Sequence, residues 1–352
     1  MEVLVVPTER AGMELDEFLC LERPLLNKGF FRRAVRDSHV TVDGASVLPN
    51  HRVRDGEVIL IMMDELEELG LLPRTPAAPE VPIVVLHEDD QLLVVDKPSG
   101  VSSEPERWAP EVGCMAGALL EFALQRGTGR LDWRPRLLHR LDKGTSGVLV
   151  AAKDLDTERL MRAAFETGDV HKAYLAIVEG EWPDSEESII DAAIGEAADL
   201  SKKERRRLGG RNKAGRMAVL PGDKKGAKPS RTRVRALERY RGFTLMECVP
   251  ETGRTHQIRV HLSHAGFPLA VDPIYGRRDE LLLSELKRGY RPKPGRPERP
   301  LLGRLSLHAA AIDLPDPARN DESPGRLRVE APMPEDFQRI IRQLAKVRPT
   351  KR

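Results

Sequence analysis

The stretch His139-Arg140-Leu141-Asp142-Lys143-Gly144-Thr145-Ser146-Gly147-Val148-Leu149-Val150-Ala151-Ala152 passes from polar to apolar within a few residues. Its second half, from Gly147 onward, is uncharged and apolar, and predicts a buried strand. Its first half predicts a glycine-bearing turn that feeds this strand. A polar loop at the edge of a rigid sheet is a place where scaffolds present reactive groups. Asp142 sits there with a cation on either side, Arg140 and Lys143. On local grounds two readings stay open. The carboxylate either does chemistry or caps the turn by bonding backbone N–H groups, and the second role is the commoner one for such a residue.

Working outward, Ile83–Leu86 and Leu92–Val95 read as two strands separated by His87-Glu88-Asp89-Asp90, and Asp96-Lys97-Pro98-Ser99-Gly100 breaks the second. Met115–Gln125 and Leu155–Glu166 have helical spacing. Lys172–Val178, Thr232–Leu237, Phe243–Val249, Leu305–Leu314 and Leu327–Val329 read as strands. His256–Ala265 is predicted to be a helix capped by Thr255. Strands dominate and no βαβ unit repeats, so the expected class is α+β, with a mixed and mainly antiparallel sheet.

Residues 1–62 read as a separate small unit. Leu15, Phe18 and Leu19 are spaced for a helix closed by Pro24, and a second helix over 27–37 has Asn27 as its cap. Phe31, Ala34 and Val35 form its predicted inner face, with Lys28, Arg32, Arg33 and Arg36 on the outside. Two Asp-Gly turns, at 43–44 and 55–56, flank short strands. Residues 63–82 are acidic and then rich in proline and alanine, the composition of a linker. Residues 196–230 are rich in Lys, Arg and Gly, and are expected to be an exposed basic insertion within a domain spanning 83–343. Residues 344–352 are expected to be a basic tail.

The 352 residues carry 57 Lys and Arg against 55 Asp and Glu, a net charge of +2. Bulk charge therefore does not point to nucleic acid, but the clustering of cations at 202–216 and 224–235 permits a basic face. No apolar run is long enough for a transmembrane helix, and the first ten residues do not read as a signal peptide. Three distant cysteines suggest a reducing, cytoplasmic setting. Gly144–Gly147 lacks the spacing of a nucleophile elbow, and the glycines at 210 and 222 lack the ending of a phosphate loop. His256, His261 and His264 are not spaced as helical metal ligands, so no metal is expected.

The string HRLDKGTSG resembles the signature loop of the RluA-type pseudouridine synthases. VVDKPSG (94–100), HKAYLAIVEG (171–180), ETGRTHQIRVHL (251–262) and LSLHA (305–309) are similar to further motifs of that family and follow in the same order. The resemblance covers about 83–340. Residues 13–61 resemble the S4 RNA-binding domain, with Met13 where an arginine is common and Asn27-Lys28 in place of Ser-Arg. Val271-Asp272 stands where Gly-Asp is usual, a difference expected to affect packing alone.

The resemblance implies isomerisation of uridine to pseudouridine in structured RNA, ribosomal RNA foremost and transfer RNA second, by an enzyme without a cofactor. It implies that Asp142 is the catalytic residue, that Arg259 pairs with it, and that Tyr174 stacks on the uracil and serves the later loss of the C5 proton. Arg140 would hold the nucleotide out of the helix, with His139 and Thr145 as further substrate contacts and Lys28, Arg32, Arg33 and Arg36 as phosphate contacts of the small domain. Whether Asp142 attacks C1′ or removes the C2′ proton is open, since both routes use the same carboxylate. A non-catalytic RNA-binding factor in ribosome assembly is the competing class. Nothing in the sequence demands more than a monomer, and no membrane partner is expected.

Overall fold

The computed structural model describes residues 1–23, 28–62, 64, 81–104, 113–126, 135–183, 186–199, 216–291, 295, 297–318 and 325–350. The chain divides into two compact units. The first holds 1–81 with 105–136 and 152–156, and the second holds 82–104, 137–151 and 157–352. The strands are β1 (Glu2–Val5), β2 (Val40–Val42), β3 (Val58–Ile61), β4 (Val84–Glu88), β5 (Leu92–Lys97), β6 (Arg136–Leu137), β7 (Ser146–Ala152), β8 (His171–Glu179), β9 (Ser188–Asp191), β10 (Ile194–Glu196), β11 (Met217–Val219), β12 (Arg231–Tyr240), β13 (Phe243–Pro250), β14 (Leu307–Pro315) and β15 (Arg326–Glu330). The helices are α1 (Leu15–Glu22), α2 (Lys28–Arg36), α3 (Met115–Arg126), α4 (Leu155–Thr167), α5 (Gln257–His264), α6 (Leu283–Leu286) and α7 (Glu335–Val347).

In the first unit, β1, β3 and β2 form a three-stranded antiparallel sheet. Leu15, Phe18 and Leu19 of α1 and Phe30, Phe31, Ala34 and Val35 of α2 are buried in one cluster with Val40, Ile59 and Ile61. These are the i, i+3, i+4 positions that an amphipathic helix must bury. The Asp43-Gly44 turn has φ of 48° and 74° at its two residues, the left-handed pair a tight hairpin turn needs. Pro24 and Asn27 lie outside the described residues, as does nearly all of the 63–82 stretch.

The second unit is built on a large sheet with the path β4-β5-β7-β14-β8-β13-β12-β9, to which β15 joins through β14. β4–β5, β8–β14, β8–β13, β12–β13, β9–β12 and β14–β15 are antiparallel, and β7–β14 is parallel. The mixed, mainly antiparallel α+β class expected from the sequence is the one observed. β7 is buried along its whole length, as its uncharged composition requires.

Two expectations fail. Residues 344–347 are the last turn of α7 and not a tail. Phe337, Ile340 and Leu344 fall on one face of that helix and are fully buried with Phe243, Leu245 and Leu302. The Arg348 guanidinium then donates to the Leu286 carbonyl at 2.9 Å. The 196–230 stretch is also not wholly an exposed loop. β10 and β11 pair antiparallel, and Ile194, Ala197, Ala218 and Leu220 are buried. A few apolar residues suffice here because they sit at the ends of the segment, where the ribbon packs. Residues 200–215 lie outside the described residues.

Candidate active site

The loop from Leu141 to Thr145 is fixed by backbone bonds before any side chain is considered. The Thr145 N–H donates to the Asp142 carbonyl at 2.9 Å, and the Gly100 N–H to the Lys143 carbonyl at 2.7 Å. Ser99 Oγ donates to the Gly144 carbonyl at 2.7 Å. Ser103 Oγ accepts the Leu141 N–H at 3.0 Å and donates to its carbonyl at 2.9 Å. Lys97, fully buried, aims its ammonium at the carbonyls of Pro98 (2.8 Å), Val101 (2.6 Å) and Lys143 (3.4 Å). Its three donors match three acceptors. Burial lowers its pKa to about 8 against the opposing pull of the Asp142 charge. The strand that follows needs glycine at its second position. Gly147 has φ 113°, and a Cβ there would lie 2.1 Å from the Ala309 carbonyl oxygen.

On this frame the Asp142 side chain meets Arg259 from α5. Arg259 Nη1 donates to Asp142 Oδ2 at 2.8 Å. The other edge of the guanidinium is held by Asp272, which accepts from Nε and Nη2 at 2.8 Å each. The side chains are 25%, 6% and 0% exposed for Asp142, Arg259 and Asp272 respectively. One buried cation thus carries two carboxylates, and only Asp142 is open to solvent. Asp272 Oδ1 also accepts the N–H groups of Ile274 (2.8 Å) and Tyr275 (3.0 Å). Burial alone would raise the Asp272 pKa, but the Arg259 bonds and charge and these two N–H groups overcome it and hold the carboxyl below its usual value. For Arg259, burial works against the charge, and Asp272 and then Asp142 push its pKa up further than burial lowers it.

Tyr174 lies on β8 opposite Ala309 of β14 and is buried. Burial, and then the Asp142 charge, push its phenol well above the usual range, so it is a neutral aromatic face beside an anion. Arg140 is 69% exposed and pairs with Glu104 at 3.1 Å, a surface ion pair worth about 0–1 kcal/mol and easily exchanged for another anion.

Two expected substrate contacts are placed differently. Thr145 is buried, with 2% exposure, and its N–H closes the turn. His139 Nε2 accepts the Val150 N–H at 3.2 Å. Burial, then the Lys172 charge, lower the His139 pKa to about 3. A neutral ring tied to β7 braces the loop instead of reaching for an anion. In the small unit, Arg33 and Arg36 are exposed, whereas Arg32 donates to the buried Asp16 at 2.6 Å and Lys28 lies 3.7 Å from it.

The helix that delivers Arg259 starts differently from the sequence expectation. Its N-cap is His256, in left-handed backbone, and no side chain caps it. Gln257 does the fastening: its Nε2 donates to the Arg231 carbonyl at 2.8 Å and to Thr232 Oγ1 at 3.0 Å. His261 is fully buried, with Nδ1 2.9 Å from Thr232 Oγ1 and Nε2 2.9 Å from the Ala192 carbonyl. This histidine is a structural clasp between α5 and β12. Asp272, His256 and Tyr275 were not singled out as site residues. The signal for Asp272 was in view, in the Val271-Asp272 pair. The Val271 side chain is in the core while the aspartate keeps its place.

Residues 91–264 match the family described as RNA pseudouridylate synthase. The chain is 31% identical to ribosomal large subunit pseudouridine synthase C of Escherichia coli, over 99% of this chain and 98% of that protein. It is 33% identical to ribosomal large subunit pseudouridine synthase D of Nitrosomonas europaea, over 97% of this chain and 87% of that one. Among solved structures, human RNA pseudouridylate synthase domain containing 4 superposes with a TM-score of 0.52 at 26% identity, covering 74% of this chain and 92% of that one. Likeness sustained from one end of the sequence to the other, through the loop of Asp142 and the helix of Arg259, makes the chain a member of the RluA-type RNA pseudouridine synthases.

Proposed function

We propose that this pseudouridine synthase acts on large-subunit ribosomal RNA and that Asp142 is its reacting carboxylate. The observation that carries the reading is the shared guanidinium. Asp272 saturates one edge of Arg259, so the other edge is committed to Asp142, the only one of the three that solvent reaches. A carboxylate held this way keeps one oxygen, Oδ1, for the sugar of an everted nucleotide. Uridine and pseudouridine are isomers, so breaking C1′–N1, turning the uracil and joining C1′ to C5 balances without a redox partner. Tyr174 offers the aromatic face, and base stacking of this kind is worth about 1–3 kcal/mol. That offsets part of the few kcal/mol lost when a base leaves its stack. Arg140, released from Glu104, supplies a cation to the opened strand.

The choice of ribosomal RNA is supported by the names of the two bacterial relatives. The cytoplasm is the compartment proposed, in keeping with ribosomal RNA as the substrate. Among the described residues no helix is long and apolar enough to cross a membrane. Mapping pseudouridines in ribosomal and transfer RNA with and without the gene tests the substrate. Loss of one or a few sites in large-subunit RNA is expected. Loss confined to transfer RNA would redirect the assignment, and loss nowhere would favour the RNA-binding factor.

Residues 1–62 are proposed to be an S4-like RNA-holding module. Its exposed cations, Arg33 and Arg36, suit phosphates, which position an RNA without reading its bases. Replacing both with Gln is expected to weaken RNA binding and to reduce the slope of log affinity against log salt by about 1–2. A filter-binding titration across salt concentrations measures this, and an unchanged slope removes the two residues from the interface.

A further inference from the structure

His256 occupies left-handed backbone, φ 57° and ψ 20°, a conformation uncommon outside glycine that histidine enters more readily than most residues. Its Nδ1 lies 2.9 Å from the Tyr275 hydroxyl, and the two rings meet edge to face with centroids 5.6 Å apart. On the other side, His256 Nε2 lies 3.8 Å from Asp142 Oδ1. This is the oxygen that Arg259 does not hold.

The proton positions follow from the donors present. The Met217 N–H donates to the Tyr275 oxygen at 2.9 Å. The hydroxyl's own proton then requires an acceptor, and His256 Nδ1 is the one within reach among the described residues. Burial pushes the Tyr275 phenol up to about 12, so its proton stays in place. Burial lowers the His256 pKa, partly countered by Asp142, which favours the neutral ring. A neutral imidazole whose Nδ1 accepts carries its single proton on Nε2.

We infer that His256 is a positioning residue for Asp142. The series Met217 N–H, Tyr275 hydroxyl, His256 imidazole presents Nε2–H to Oδ1 and, with Arg259 on Oδ2, sets the plane of the carboxylate. This rests on the reading of Asp142 as the reacting group. At 3.8 Å the last step is longer than a hydrogen bond, and a ring movement of about 1 Å or one water closes it. Contacts of reacting groups commonly tighten only when substrate is bound. The series begins in the β10–β11 ribbon, where Met217, Val219 and Ile194 pack with Tyr275 and Val260. The ribbon therefore enters the site through a proton arrangement as well as through packing.

The test uses the full-length chain labelled with 15N-histidine, the His256 signals being identified by their loss in His256→Gln. The expected result is the Nε2–H tautomer in the wild type near neutral pH, and a mixture of tautomers in Tyr275→Phe. That variant keeps the aromatic ring beside Arg259, whose guanidinium carbon sits 5.1 Å from the ring centroid. Its kcat is expected to fall about tenfold with KM for RNA unchanged. His256→Asn suits left-handed backbone but is too short to reach Oδ1, and should lose a similar factor. His256→Gln places an amide N–H near the Nε2 position and should recover most of the rate. An Nδ1–H tautomer in the wild type, or a tautomer unmoved by Tyr275→Phe, overturns the inference. So does a loss expressed in KM or melting temperature alone. A wild type that makes no pseudouridine yet shows the Nε2–H tautomer would remove the functional reading and leave the proton arrangement standing.

Discussion

Asp142→Asn is expected to lower pseudouridine formation by at least about 10⁴-fold while leaving RNA affinity within about threefold. The substitution is nearly isosteric, and the turn does not depend on the side chain, because the Thr145 N–H closes onto the Asp142 backbone carbonyl. The amide oxygen can still accept from Arg259 Nη1, and Arg259 keeps both bonds to Asp272. What disappears is the anion facing the sugar. An amide neither attacks C1′ nor removes the C2′ proton, so the expectation holds for either route. Single-turnover conversion of a tritiated RNA measures the chemical step, and gel shift measures binding. Conversion by the purified variant near the wild-type rate would remove Asp142 from the chemistry. A parallel collapse of RNA affinity would mean that the charge serves the fold of the loop instead.

The second unit was legible wherever the signal was local. The uncharged run after Gly147 could only be a buried strand, and 172–178, 232–237 and 243–249 read as strands. Asp142, Tyr174 and Arg259 were reachable because each lies in a string with neighbours of fixed type. What stayed hidden depends on distance through space. Asp272 is thirteen residues from Arg259 and is fully buried; the Val271-Asp272 pair marks the position, but its neighbours in sequence do not say that it grips a guanidinium. His256 starts its helix from left-handed backbone with no side-chain cap, so no helix-cap rule finds it. The resemblance implies His139 and Thr145 as substrate contacts, yet β7 claims the one and the tight turn hides the other. The domain boundary expected at 343–344 falls inside α7: Lys346, Arg348, Lys351 and Arg352 suggest a basic tail, but Leu344 is buried with Phe337 and Ile340 on one face of the helix. The 196–230 stretch shows the limit of composition, since Ala218 and Leu220 are few in number and still enough to fasten a ribbon.

Asp272→Asn should be the most damaging single change to stability in this site, costing about 3–5 kcal/mol, the range for removing one partner of a buried ion pair. Asn can keep one oxygen where Oδ1 accepts from Arg259 Nη2, Ile274 N–H and Tyr275 N–H. Its NH2 group must then face the Arg259 Nε–H, donor against donor, at a fully buried position. The guanidinium is left with half of its anionic complement, and Asp142 is too exposed to replace the rest. The pH dependence gives the change its own mark. The folded-state pKa of Asp272 lies below its unfolded value, so the stability it contributes is whole above about pH 5 and is lost as pH falls below about 4. Denaturant titrations of wild type and variant should therefore differ most near neutral pH and converge in acid, since only the wild type has this carboxylate to protonate. A gap that stays constant from pH 7 to pH 3 would mean that shape and not charge is what the variant lost. Activity should fall as well, even at temperatures where the variant is folded. A guanidinium free to tilt no longer holds Asp142 Oδ2, and a carboxylate that rotates spends less time with Oδ1 turned toward the sugar.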